Sequence, residues 1–262
     1  MIVRHEADGT LVMITQNDHA QVSGFCAVHW GNTRFERPKP FESAVRAAFL
    51  HDLAWLREET SPAFNPAVGR TVNYLDVPNE TRIDEYRWAQ QWVVSEDPYA
   101  GWLVNRHRTG IWKSRYGLMK QPHYPPRQLH PDLEHYVAHA HAEQDAAASE
   151  FDKHQLDVNY ILLQIWDLFS LYICSTERLS EQCFEPVPTS YTDGPGICMR
   201  LTPVARTRIS VDPYPFDQPS LDLKVVYRRL PQQTFADASS FQAAYFGAAP
   251  QIATFTLFDP AA

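Results

Sequence analysis

One stretch constrains this chain more than any other. From Val158 to Cys174 the sequence is almost wholly apolar, broken only by Asn159, Gln164, Asp167 and Ser170. A helix of that composition is buried on nearly every side. The polar interruptions make it a core helix rather than a membrane span. Asp167 is its only charge. A carboxylate at such a position costs several kcal/mol in desolvation. It must be protonated, paired with a cation or bound to a metal.

The same face argument applies along the rest of the chain, because helical positions three or four apart share a face. Thr15 and Asp18 form a capping pattern and Gly31 suits a C-terminal stop, so a helix is expected over about Asn17–Trp30. His19 lies there with Val22, Cys26 and Trp30. A second helix is expected over about Phe41–Glu58. Asp52 aligns with Val45, Phe49 and Leu56, with His51 one step round. Further helices are expected at about Thr81–Val94 and Pro98–Tyr116, the latter with Pro in its first turn. There His107 aligns with Ala100, Leu103 and Ile111. The remaining two are expected at about Asp132–Phe151 and Leu156–Thr176, the last with Asp167 between Leu163 and Leu171.

The two ends of the chain read differently. Asp8-Gly9 between short apolar runs signals an N-terminal β-hairpin. After Glu185 the stretches ICMRLTPVARTRISV, LDLKVVYRRL and QIATFTLF alternate and hold β-formers, with one short helix near Asp237–Tyr245. The expected fold is mainly α: a helical bundle over residues 1–183 that includes the hairpin, and a β-rich region over 184–262 packed on it. Twenty prolines against ten glycines point to fixed, irregular connections such as 61–78 and 117–131.

Charge and composition exclude some classes. The net charge of −8 leaves no basic footprint for a nucleic-acid partner. MIVRHEADGT is not a secretion signal, because no apolar stretch follows it. No membrane association is expected. Cys26, Cys174, Cys183 and Cys198 lack C-x-x-C spacing and read as reduced thiols of a cytoplasmic protein.

Several ligand-type side chains thus occupy core-facing stripes on separate helices. His19, His51, Asp52 and Asp167 form a mixed nitrogen and oxygen set suited to Mn, Fe, Zn, Mg or Co. Taken singly, Asp52 could cap a helix or pair with Arg46 or Arg57, and a buried Arg could satisfy Asp167. Arg106, Arg108, Lys113 and Arg115 read either as a clamp for an anionic small molecule or as a solvated helix face. His135, His139 and His141, with Glu143, read either as a zinc site or as an exposed helix. Trp55, Trp102 and Trp112 read as core or as pocket walls. Glycine-rich phosphate loops, G-x-S-x-G and H-E-x-x-H are absent from the sequence.

The order of the four residues resembles the HD-domain metallohydrolases: a His on one helix, an adjacent His-Asp on the next, and an Asp on a late helix. The carrying segments are NDHAQVSGFCAVHW, AAFLHDLAWLREE and NYILLQIWDLFSLYIC. The chain also resembles an uncharacterised bacterial family, domain of unknown function 3891. That likeness lies in MIVR, TQNDHA, HDLAW, DPYAGWLVNRH, LLQIWDLFSL and DPYPF. The HD resemblance implies an HD-like helical bundle, a divalent metal on His19, His51, Asp52 and Asp167, and hydrolysis of a small phosphate-containing substrate. His107 and Arg108 would then lie near that substrate. Leu53, Ala54 and Trp55 stand where many hydrolytic members carry Gly-Lys. With no His-His pair and no Gly-Tyr-Pro, cyclic-dinucleotide hydrolysis is not implied. A two-iron HD-like oxygenase would need further ligands from His107 and either His123 or His130. A non-enzymatic module with a structural metal is the third reading.

Overall fold

The computed structural model describes residues 1–122, 125, 128–192 and 194–261. Strands β1 (Ile2–His5) and β2 (Leu11–Ile14) form the expected hairpin, turning at Gly9 with φ 83°. Helix α1 (Gln16–His29) follows at once. Its cap is reciprocal: Thr15 Oγ1 accepts from Asp18 N and donates to Asp18 Oδ2. Then come α2 (Phe41–Leu50), a 3₁₀ turn (Leu53–Trp55) and the short α3 (Leu56–Glu59). Strands β3 (Phe64–Asn65) and β4 (Arg70–Thr71) make a small separate ribbon. The helices α4 (Ile83–Glu96), α5 (Pro98–Trp112), α6 (Pro131–Ala148) and α7 (Lys153–Cys174) complete the helical layer. The chain ends through β5 (Gln182–Val187), β6 (Ile197–Ala205), β7 (Arg208–Asp212), β8 (Ser220–Leu230), α8 (Ala238–Gly247) and β9 (Gln251–Phe258).

The mainly-α, HD-like bundle expected from the sequence is not the architecture found. The chain is about 47% helix and 21% strand, and seven strands form one curled sheet. Their order is β1-β2-β8-β9-β7-β6-β5. The hairpin is therefore not an ornament on a bundle: β2 pairs antiparallel with β8, Leu11 facing Leu230 and Met13 facing Arg228. The physical reason lies in β2 itself, which is buried on both faces. Val12 and Ile14 join the main core with α1, α7 and the sheet, while Leu11 and Met13 join a second cluster with Phe235, Phe241 and Tyr245 under α8. A strand apolar on both sides must be covered on both sides. Local periodicity shows that need without showing which partner meets it.

Helix α1 packs between the sheet, through β8, and the helices α2 and α7. It packs tightly on α2 at Gly24, where an added Cβ would fall 2.2 Å from the Phe49 ring. Two helix ends also differ from expectation. The second helix stops at Leu50 rather than running to Glu58, and Asp52 takes φ −112° and ψ 19° in a turn. Leu56, expected on the buried stripe, is 43% exposed as a result. Helix α5 stops at Trp112 because Ser114, Arg115 and Tyr116 adopt left-handed backbone.

Cys183 and Cys198 are disulfide-bonded across β5 and β6, so the expectation of four reduced thiols fails for this pair. Cys26 and Cys174 are free and buried. Among the described residues, no helix is long and apolar enough to cross a membrane.

Candidate metal centre

The four residues singled out by face analysis meet at one point. His19 comes from α1, His51 and Asp52 from the turn after α2, and Asp167 from the middle of α7. All four are at most 4% exposed, so protein groups must meet most of their hydrogen-bonding and charge requirements. His19 Nε2 lies 2.9 Å from Asp52 Oδ2, 3.2 Å from His51 Nε2 and 3.8 Å from Asp167 Oδ1. His51 Nε2 lies 3.6 Å from Asp52 Oδ2 and 3.5 Å from Asp167 Oδ1. Donor atoms about 2.1 Å from a shared cation would stand roughly 3.0–3.4 Å apart in octahedral or tetrahedral arrangements. The observed separations fall around that range.

The surrounding hydrogen bonds decide which imidazole nitrogens face the centre. His51 Nδ1 is 2.8 Å from the carbonyl of Ala48, which can only accept. His19 Nδ1 is 2.6 Å from Ser170 Oγ. Ser170 donates its own proton to the carbonyl of Asp167 and accepts from Ser23 Oγ, so toward His19 it acts as an acceptor. Both rings therefore carry hydrogen on Nδ1 and, when neutral, point a bare Nε2 inward. With both rings neutral, two nitrogen lone pairs and two carboxylate oxygens converge with no hydrogen between them. Such a cluster requires a positive charge at its middle, as a metal ion or as added protons.

The outer carboxylate oxygens are already occupied. Arg108 Nη2 donates to Asp52 Oδ1 at 2.5 Å, and Arg115 Nη2 donates to Asp167 Oδ2 at 3.1 Å. Burial opposes charge on both carboxylates, but His51 and Arg108 hold Asp52 well below its usual pKa. The same burial is overcome at Asp167 by His51 and Arg115, so it too stays ionised. Burial disfavours the charged His51 ring, yet Asp52 and Asp167 raise its pKa. At His107 burial wins and lowers the pKa well below the usual value, keeping the ring neutral. His107 Nδ1 accepts from Gln164 Nε2 at 3.0 Å, and its ring centroid is 4.9 Å from that of His51.

Two overlapping groups thus have metal-ligand spacing among the described residues: His19, His51 and Asp167, and His51, Asp52 and His107. A cleft of about 190 Å³ opens beside them. Trp55, Tyr74, Leu75, Ile111 and Trp112 give it apolar walls, and His107, Arg108 and Arg115 line its polar side.

The other candidates are resolved individually. Of the four basic residues near His107, Arg108 and Arg115 turn into the cleft. Arg106 stacks on Tyr116 at 3.5 Å, and Lys113 is exposed. His139 is exposed and paired with Glu143, His141 bonds Tyr116, and His135 is exposed, so these three do not gather. Trp55 and Trp112 line the cleft, whereas Trp102 donates to Gln144 O. His130 is an exposed helix cap beside Asp132, and His123 lies outside the described residues. Sequence reasoning did not single out Ser23, Gln164 or Ser170. A signal existed: Ser23 is four residues after His19, and Ser170 is three after Asp167, each on its ligand's face.

Neither a search of curated proteins nor one of solved structures found a match to this chain. The family described as protein of unknown function (DUF3891) matches residues 1–232, and the chain belongs to that family.

Proposed function

We propose that this protein is a metal-dependent hydrolase of a small phosphate-containing anion, with an HD-like metal site on His19, His51, Asp52 and Asp167. The observation that carries this reading is the convergence of two carboxylates with two imidazoles whose N–H groups are tied up behind them. A divalent cation there would activate a water and neutralise charge on phosphoryl oxygens. The chain's own groups supply the rest. The two carboxylates and two guanidiniums balance one another, so a bound cation leaves the centre with surplus positive charge beside the cleft. That surplus favours an anionic substrate. Arg108 would bind it from the cleft wall, and neutral His107 would contact it without adding charge. Hydrolysis forms a bond from water oxygen to phosphorus and breaks the ester bond. Water loses one proton and the leaving oxygen gains one.

The test is metal analysis of protein purified without added metal, followed by assay on small phosphate esters. The expected result is a bound divalent metal, turnover abolished by a chelator and restored by Mn, Zn, Fe or Mg, and loss of both in Asp167→Ala. Two irons per chain with oxygen consumption would replace the hydrolase by an oxygenase. Failure of the wild-type protein to bind any of these metals, with Asp167→Ala folding normally, would end the metal reading altogether.

A further inference from the structure

Helix α5 does not fade out after Trp112; it is reversed. Ser114, Arg115, Tyr116 and Gly117 have φ of 52°, 51°, 56° and 68°. Only the last is glycine. Successive left-handed residues with side chains are rare because each sets its Cβ against a carbonyl oxygen. They persist where surrounding structure imposes them, commonly at functional sites. Here the imposing contacts are visible. Tyr116 Oη donates to Thr109 Oγ1, one full reversal back along α5, and the Arg106 guanidinium covers the Tyr116 ring.

The reversal has one clear consequence. Had α5 continued, the backbone of residue 115 would stand about 10 Å along the axis from that of residue 108. Instead Arg108 and Arg115 line the same cleft and hold the two carboxylates of one centre. Arg108 donates Nη2 to Asp52 Oδ1 and lines the cleft beside it.

We infer that the left-handed turn delivers Arg115 as a third cationic handle beside Arg108 and the metal centre, and so selects phosphomonoesters over phosphodiesters. This rests on the hydrolase reading above. A monoester dianion has three terminal oxygens, one for each handle. A diester has two and carries a single negative charge. The guanidinium fork suits such oxygens better than a point charge does. The reaction is addition of water oxygen to phosphorus with loss of the alcohol. The water's proton ends on that alcohol, and inorganic phosphate is the other product.

The test compares wild type, Arg115→Lys and Arg115→Gln, checked for folding by circular dichroism. Inorganic phosphate binding is measured by calorimetry on metal-loaded and metal-free protein. Turnover is measured with 4-nitrophenyl phosphate and bis(4-nitrophenyl) phosphate. Wild type is expected to favour the monoester. Arg115→Gln is expected to weaken phosphate binding at least tenfold and to lower the monoester-to-diester ratio of kcat/KM by a similar factor, with Arg115→Lys between. A folded Arg115→Gln with unchanged phosphate affinity would overturn the inference, as would a wild-type preference for the diester. If Arg115→Gln does not fold, unchanged phosphate affinity in Arg115→Lys overturns it equally. Phosphate affinity that depends on Arg115 in a protein with no metal and no turnover would retain the anion grip and reject the hydrolase.

Discussion

Ser170 Oγ accepts a hydrogen bond from His19 Nδ1 at 2.6 Å, and this contact turns the bare Nε2 of His19 toward Asp52 and His51. The hydroxyl can play that part because its own proton is committed to the carbonyl of Asp167, one turn earlier on the same helix. Ser170→Ala should therefore fold but free the ring to change tautomer. Groups behind a metal-bound histidine typically contribute 10- to 100-fold to affinity. A loss of that size is expected in a titration against a coloured chelator. Unchanged affinity would mean that the serine is only packing.

Gly24 lets α1, which carries His19, pack against the Phe49 ring of α2, which leads into His51. An added Cβ would overlap the Phe49 ring, which is a side chain rather than backbone and can give way only by disturbing α2. Gly24→Ala is expected to destabilise by about 1–3 kcal/mol, the usual cost of overpacking a core. It should also weaken metal binding, since the two imidazoles would separate. Urea unfolding and the same chelator titration report both effects.

The turn after α5 offers a change of opposite sign. At Ser114, φ is 52° and the hydroxyl is buried with no hydrogen-bond partner among the described residues. Glycine adopts this backbone without the Cβ clash, at the expense of more entropy lost on folding. Ser114→Gly should stabilise the protein by about 0.5–1 kcal/mol. Thermal unfolding that shows a clear loss instead would mean that the serine side chain supports the turn.

Acid should unfold the metal-free protein in a specific window. Asp52 and Asp167 both have folded pKa values below the ordinary 3.8, despite the burial that opposes their charge. A depressed carboxylate stabilises fully above its unfolded value and loses that stabilisation as pH falls through the interval down to its folded value. Stability should therefore drop steeply below about pH 4. His107, lowered mainly by burial, adds to the loss from about pH 6.5 downward, while the raised pKa of His51 offsets part of it. Replacing Asp167 by Asn should flatten the steep acidic limb by one proton. An unchanged slope in urea titrations between pH 2 and 4 would contradict the assigned burial and pairing.

The sequence alone determined what is local. Burial of α7 and its lone charge follow from composition, and the cap at Thr15 and turn at Gly9 follow from neighbours in the chain. His19, His51, Asp52 and Asp167 could each be placed on an apolar face because helical periodicity carries that information. Even where the second helix ended early, the His51-Asp52 pair stayed inside, since desolvation penalises stranding either group without a partner. Only the tertiary structure decided what depends on distant residues. The pairing of β2 with β8 brings together positions 11 and 230, and made one curled sheet where a bundle with an appended β layer was expected. The selection of Arg108 and Arg115, rather than Arg106 and Lys113, came from a left-handed turn held by contacts back to α5 and to Arg106. No pattern of residue types specifies such a turn, because three of its four members adopt it against their intrinsic preference.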